Sequence, residues 1–359
     1  MKKFVCTLVA MIMALSLVAC AAPAAEEAPA VEEAPVEEAV VEEVEAADDF
    51  DPSQITLTWA SPIINHPVLR TCELGFIDAC KELGYQYQVV GSENVDYSET
   101  NAAAEAAAAA GSPAVLLWVG DEVAVNGVAT LKNDYNAFVG GPHMYWEEGS
   151  CPGLDFCLAC DAATYAVEVA NFIAERIEGK TGSIAITQAS YTTNEDAAAA
   201  AFKARIEELQ AEGKLQGVTV LDPAIEGADD ITDSTNVNAS IIQANPDLIA
   251  AFSTTGAGPV TWSNAARKCG KAAGDLVIVA MDTTADNLAE VESGYCTALV
   301  AQPLYEEAYQ GAYMLDALLR GESVEYWTLL EAPLVYNGGE GVNDPAYYAS
   351  INERVETEF

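Results

Sequence analysis

The chain of 359 residues contains 56 acidic and 15 basic side chains, which gives it a formal net charge of −41 at pH 7. Because proteins bind nucleic-acid phosphates through basic surfaces, this composition excludes nucleic acid as a partner. The length is sufficient for two domains with separate cores, even when an N-terminal leader and a linker are set aside.

The N-terminus has the pattern of an export signal. Lys2 and Lys3 precede an apolar run from Phe4 to Val18, and small residues then lead to Cys20. The run has about 15 residues, fewer than the ~20 that a membrane-spanning helix needs. The cysteine resembles that of a bacterial lipobox, which implies that residues 1–20 are a signal peptide and that Cys20 carries acyl chains. We therefore expect an extracytoplasmic protein that is lipid-anchored to the cell membrane.

A low-complexity segment follows at residues 21–52. It consists mainly of Ala, Pro, Val and acidic residues, with repeated pairs such as Glu26-Glu27. Repelling charges and scattered prolines leave too little apolar surface to offset the loss of chain entropy on folding. The segment is therefore predicted to be a disordered tether that holds a folded body away from the membrane.

The cysteines of the body predict neither a metal site nor a cofactor. Cys72 and Cys80 fall on the apolar side of a predicted helix and are interpreted as core residues. Cys151, Cys157 and Cys160 share a loop with Gly and Pro, where one disulfide is compatible with an extracytoplasmic location. Because no second Cys pair and no nearby His complete a zinc site, no metal is expected.

Strands and helices alternate through the body in two successive runs. Strands are predicted at 55–60, 89–90, 114–119 and 137–140 in the first run, and at 183–187, 218–221, 248–252, 276–281 and 297–301 in the second. Helices are predicted at 67–83, 98–110, 122–135, 164–178, 195–212, 231–244, 260–271, 285–293 and 304–319. The alternation predicts an α/β protein with two doubly wound parallel-sheet lobes. Ligands bind such sheets at the carboxyl ends of the strands, here in the cleft between the lobes.

Five segments of the body carry a resemblance to a known family. They are SPIINHP at 61–67, ANPDLIAAF at 244–252, IVAMDTT at 278–284, TALVAQ at 297–302 and RGE at 320–322. In this order they resemble the type I periplasmic binding proteins of ABC importers, especially the sugar-binding branch related to ribose-binding protein. The resemblance implies one lobe at 53–160 plus 303–331 and another at 161–302 plus 332–359, which close on a ligand by a hinge motion. It also implies a transmembrane permease as partner, and the protein is expected to be a monomer.

Candidate ligand residues follow the strand ends of this scheme. Asp282 comes directly after an apolar strand, and the resemblance implies that it accepts hydrogen bonds from two neighbouring hydroxyls; the alternative is a cap of the next helix. Gln302 ends the return strand, and its amide can both donate and accept. His66 and His143 stand where relatives carry polar ligand residues. Asp161 lies at the first crossing, where it contacts ligand or braces the hinge.

Aromatic residues at strand ends are candidates for the walls of the cleft, because the C–H faces of sugars pack on aromatic rings. Trp118, Tyr191 and Trp262 occupy such positions. Core packing is the alternative for each of them.

These observations predict a binding protein and not an enzyme. The sequence has no nucleophile elbow, phosphate loop or HExxH motif. The expected ligand is small, neutral and polyhydroxylated, in the simplest case a monosaccharide. Ribose itself is disfavoured, because Asp196–Ala199 lacks the Arg of ribose-type relatives and Thr254–Pro259 lacks their Asn-Asp pair. A nucleoside-, amino-acid- or signalling-molecule-binding protein of the same fold remains the alternative.

Overall fold

A computed structural model describes residues 50–66, 68–189, 193–227 and 230–359 of the protein, with 193 and 194 described by their backbone alone. The predicted signal peptide with Cys20, nearly all of the predicted tether, and Tyr191 lie outside these residues. No helix within the described ranges combines the length and the apolar character that crossing a membrane would require.

Strands and helices alternate along the described chain. The strands are β1 (Thr56–Ser61), β2 (Gln86–Gly91), β3 (Ala114–Leu117), β4 (Phe138–Pro142), β5 (Phe156–Ala159), β6 (Gly182–Gln188), β7 (Val218–Val220), β8 (Ala224–Ile225), β9 (Leu248–Ser253), β10 (Val277–Met281), β11 (Ala298–Val300), β12 (Trp327–Leu329) and β13 (Leu334–Val335). The helices are α1 (Leu69–Leu83), α2 (Tyr97–Ala109), α3 (Glu122–Tyr135), α4 (Ala162–Arg176), α5 (Thr193–Ala211), α6 (Ile231–Ala244), α7 (Gly258–Lys268), α8 (Ala285–Glu292), α9 (Leu304–Leu319) and α10 (Pro345–Glu358).

The strands form two sheets. The first has the order β12-β5-β4-β3-β1-β2, and all of its pairs are parallel. The second has the order β13-β11-β10-β9-β6-β7, with β8 also paired to β6, and is parallel except where β11 meets β13. Parallel neighbours require crossover connections, which the helices supply. The predicted α/β class with two doubly wound sheets is confirmed, whereas the predicted lobe boundaries stay a prediction.

Each sheet is covered by helices on both faces. Helices α1 and α9 pack on one face of the first sheet, and α2 and α3 pack on the other. In the second sheet, α4 and α5 cover one face, while α6, α7, α8 and α10 cover the other. Burial on both faces explains why β3, β6 and β10 are buried along their whole length and why their sequences are so apolar.

Aspartate side chains begin many of the helices. Asp96, Asp121, Asp161, Asp230 and Asp344 are the N-caps of α2, α3, α4, α6 and α10, and each accepts from backbone N–H groups of the first turn. Those N–H groups have no partner inside the helix, so a capping carboxylate stabilises the start of the helix.

The C-terminal helix α10 links the core of the second sheet to a helix of the first. Tyr348 and Ile351 are buried in the second-sheet core. On the opposite side, Arg354 forms a two-pronged ion pair with Asp78 of α1, with N–O distances of 2.7 and 2.9 Å. Tyr305 donates to the same carboxylate at 2.7 Å. Helix α10 was not predicted from the sequence.

The cysteine-rich loop differs from its prediction. Residues 156–159 form β5, in which Cys157 is fully buried, and Cys151 is buried in the same apolar cluster. Every cysteine within the described part of the chain is a free thiol, so the disulfide considered among Cys151, Cys157 and Cys160 is not formed.

Candidate functional site

Two strand ends hold residues in an unusual backbone conformation. His143 directly follows β4 and has φ 72°, and Asp282 directly follows β10 and has φ 69°. A residue other than glycine is strained in this left-handed region, and such strain is concentrated at functional sites. Each residue is tied to the neighbouring strand, because His143 N–H donates to the Leu158 carbonyl at 2.8 Å and Asp282 N–H donates to the Val300 carbonyl at 2.9 Å.

The carboxylate of Asp282 lies against Gln302, as the sequence predicts for two ends of neighbouring strands. The Gln302 amide donates to Asp282 Oδ1 at 2.6 Å. On another side the carboxylate approaches Gly256 so closely that a Cβ there would collide with it. Burial raises the pKa of Asp282, while the hydrogen bond from Gln302 and the nearby His143 oppose that change.

A buried asparagine holds the loop that carries Asp282. The amide nitrogen of Asn287 lies 2.9, 3.2 and 3.1 Å from the carbonyl oxygens of Gly256, Met281 and Asp282. The N-cap of α8 is Thr284, which accepts from Asn287 N–H. Asp282 therefore does not cap the next helix, and its carboxylate remains available at the strand end.

His143 is held between a carboxylate and an aromatic ring. Its Nδ1 lies 3.1 Å from Oε2 of Glu307 in α9, and Glu307 is fully buried. The indole of Trp118, which directly follows β3, stacks on the imidazole with ring centroids 4.2 Å apart. Burial lowers the pKa of His143, but the hydrogen bond and charge of Glu307 together with Asp282 outweigh it, so the pKa is raised.

A pocket of about 330 Å³ adjoins Asp282 and Gln302. Its other walls are the start of α1, the loop into α8, the start of α9 and one side of α10, with lining residues that include Thr71, Thr284, Tyr305 and Asn352. Helices of both sheets therefore contribute to it. The volume is at the lower end of the range for small-molecule sites, roughly 300–1,000 Å³. A second pocket, of about 540 Å³, lies between α8 and α10 and is lined by neither Asp282 nor Gln302.

The remaining predicted residues are not brought into this cluster. His66 is exposed ahead of α1. Asp161 is the N-cap of α4 and accepts from Thr164 N–H at 2.7 Å and from its hydroxyl at 2.6 Å. The prediction that Trp262 forms a wall of the cleft is wrong: its ring is fully buried in the core of the second sheet, and its indole N–H donates to Thr187 Oγ1 at 2.9 Å. Ligand contact by His66 and Asp161 stays a prediction.

Sequence reasoning missed a buried carboxylate at the edge of the second sheet. Glu226 accepts from the hydroxyls of Ser253 and Thr255, the former at 2.8 Å, and from the Asn238 amide at 3.1 Å. The run of hydroxyl residues that ends β9 was the signal that could have indicated such an acceptor. Among the described residues, no group of His, Cys, Asp and Glu side chains is arranged to hold a metal ion.

Comparisons with known proteins agree with this architecture. Residues 58–323 match the family model described as periplasmic binding protein domain. No relative is found among the curated proteins.

Solved structures share the fold at low sequence identity. A sugar-binding protein of a sugar ABC transporter from Bacillus halodurans is 20% identical, with a TM-score of 0.68 over 82% of this chain and 99% of that one. GanP, a glucose-galactose binding protein from Geobacillus stearothermophilus, is 18% identical, with a TM-score of 0.65 over 79% and 97%. A solute-binding protein from Burkholderia graminis in complex with D-arabinose is 16% identical, with a TM-score of 0.66 over 80% and 97%. The chain therefore belongs to the periplasmic binding protein family, and it shares its fold with sugar-binding members of ABC transporter systems.

Proposed function

We propose that the protein is an extracytoplasmic solute receptor that captures a small, neutral, polyhydroxylated ligand, in the simplest case a monosaccharide. The observation that carries this proposal is the convergence of His143 from the first sheet and Asp282 from the second, which interact electrostatically across the gap between the sheets. A ligand at that point would contact both sheets, so its binding would favour their closed arrangement.

The chemistry of the site supports hydroxyl recognition. The Asp282 carboxylate accepts hydrogen bonds, the Gln302 amide both donates and accepts, and the imidazole of His143 donates when protonated. Hydroxyl groups can satisfy all of these, since each is a donor and an acceptor. The ring of Trp118 is an apolar surface beside these groups.

The charge of the pocket argues against anionic ligands. Among the described residues that line it are Asp282, Asp286, Glu306 and Glu356, and none of those lining residues is Lys or Arg. A free amino acid would bring a carboxylate that needs a cation or several backbone N–H groups. A neutral sugar needs neither, so the sugar is favoured over the amino acid, and a nucleoside remains the neutral alternative.

We propose the remaining features from the family and the sequence together. Members of the family bind solutes without transforming them, and we propose the same for this protein. Acyl chains on Cys20 would hold it on the membrane, and an ABC transporter permease would receive the ligand. The lobes 53–160 plus 303–331 and 161–302 plus 332–359 would close around the ligand by a hinge motion of the monomer.

A thermal-shift screen tests the proposed function. Purified protein is heated with D-glucose, D-galactose, D-arabinose, nucleosides or amino acids. A ligand present at about a thousandfold excess over its Kd adds about 4 kcal/mol to the free energy of unfolding, because it binds the folded state alone. We expect at least one sugar to raise the Tm. A screen in which only amino acids or only nucleosides do so would contradict the sugar assignment.

A further inference from the structure

The buried carboxylate of Glu307 is not explained by stability. It is fully buried in α9, where Oε2 faces His143 and, among the described residues, the buried Oε1 has no hydrogen-bond partner. Taking a carboxylate out of water is costly unless its oxygens are well satisfied, and a buried ion pair often adds little net stability. The arrangement therefore points to a role in function.

The imidazole of His143 is held in one orientation. Trp118 stacks on its face, Glu307 binds Nδ1, and the backbone N–H of His143 is bonded to Leu158. About 20% of the side chain stays accessible. Since Nδ1 is engaged by Glu307, Nε2 is the ring nitrogen left for a ligand.

The groups around this pair leave the two carboxylates as the charges that act on His143. Cys72 and Cys160 lie near Glu307, but burial raises the pKa of both thiols, to about 12 for Cys160, so they stay neutral. Burial also raises the pKa of Glu307, and His143 opposes this change, whereas Glu306 adds to it. Asp282 is the other charge that faces His143, from the second sheet.

We propose that Glu307 is a positioning residue that keeps His143 protonated on both ring nitrogens and presents its Nε2–H to the ligand, beside the Asp282 acceptor. This inference rests on the proposed function and narrows it. The ligand class is one with neighbouring hydroxyl groups, of which one accepts from His143 and another donates to Asp282. An isolated hydroxyl could not use both partners.

The chain contains only two histidines, so NMR can follow this group directly. The ring nitrogens of His66 and His143 are observed in 15N-histidine-labelled protein between about pH 5 and pH 9, without ligand. His66, which is exposed, serves as the internal reference. We expect His143 to lose its proton at a higher pH than His66. In Glu307→Gln, burial is no longer opposed by that carboxylate, and His143 should lose its proton at a lower pH than it does in wild type.

A matched variant and a ligand measurement complete the test. Asp316→Asn removes a carboxylate from the same helix, where it binds Tyr85 and Arg320, and should leave the His143 titration unchanged. For the sugar among D-glucose, D-galactose and D-arabinose that binds most tightly, Glu307→Gln should weaken affinity about tenfold at neutral pH, the effect of losing one charged hydrogen bond. The deficit should shrink as the pH is lowered and His143 is protonated again, which packing damage would not produce.

The two proposals fail separately. If His143 titrates below His66 in wild type, or if Glu307→Gln leaves its titration unchanged, the role of Glu307 is overturned whether or not sugars bind. If the titration behaves as expected and none of the three sugars binds, Glu307 still controls the protonation of His143, and it is the sugar assignment that is wrong.

Discussion

Trp262→Ala is expected to lower the free energy of unfolding by about 3–5 kcal/mol, the usual effect of removing a large buried aromatic side chain. The ring lies at 0% exposure in the core of the second sheet, among residues of β9, β10 and α8. Alanine would leave a cavity there, and Thr187 would lose the indole N–H that its hydroxyl accepts at 2.9 Å. Equilibrium denaturation of both proteins without ligand measures the difference.

Trp262→Phe separates packing from ligand contact. Phenylalanine fills most of the space but cannot donate to Thr187, so we expect a smaller loss, of about 1–2 kcal/mol, mainly from the hydrogen bond. Sugar affinity should be unchanged, because the ring does not reach the pocket beside Asp282. Weaker sugar binding with unchanged stability would mean that the ring is a wall of the ligand site after all.

Asp282→Asn is expected to weaken sugar binding by about 1.5–3 kcal/mol, roughly tenfold to a hundredfold in Kd, because it removes a charged hydrogen-bond acceptor. Asparagine is the informative replacement, since it tolerates the left-handed backbone at this position better than alanine does. Isothermal titration with the tightest-binding sugar measures the loss. The control Asp222→Asn removes a carboxylate whose side chain is 96% exposed and should leave the affinity unchanged.

The same variant has a pH-dependent effect on stability. Because burial raises the pKa of Asp282 in the folded state, its contribution to stability is fully present at low pH and is lost as the pH rises through the folded-state pKa. The stability of Asp282→Asn relative to wild type should therefore increase with pH. Reduced stability of the variant at neutral pH would indicate that the charge holds the loops together, contrary to this account.

The fold was predictable because its strands are buried on both faces. Continuous apolar runs such as 114–119 and 276–281 were visible in the sequence, and β3 and β10 lie within them. The proximity of Asp282 and Gln302 followed from the same argument, since both come just after the ends of neighbouring parallel strands.

Elements that depend on tertiary contacts were missed. Helix α10 has a weakly amphipathic sequence and is held by Tyr348 in the second-sheet core and by the ion pair between Arg354 and Asp78, which no local pattern shows. Its start at Asp344-Pro345 is nevertheless a recognisable helix signal. Strand β5 was hidden among cysteines and glycines, because a short strand beside turns has no periodicity of its own.

The candidate site shows the same limit at the level of side chains. Glu307 sits inside a helix, where a carboxylate is ordinarily solvated, and only the approach of His143 from β4 gives it a partner. Trp262 and Trp118 both follow strand ends, yet one turns into the core and the other stacks on His143. Sequence position fixes the edge of the sheet on which a residue lies, and packing decides which way its side chain points.

Hydrogen exchange with the sugar that gives the largest rise in Tm tests most directly whether the strand ends of the two sheets are the ligand site. The account predicts that bound sugar slows exchange at 143–146 after β4, at 282–287 after β10 and at 302–306 after β11, so that segments of both sheets respond together. Slowed exchange confined to the pocket between α8 and α10, at 337–338 and 345–349, or to segments of one sheet alone, would contradict it.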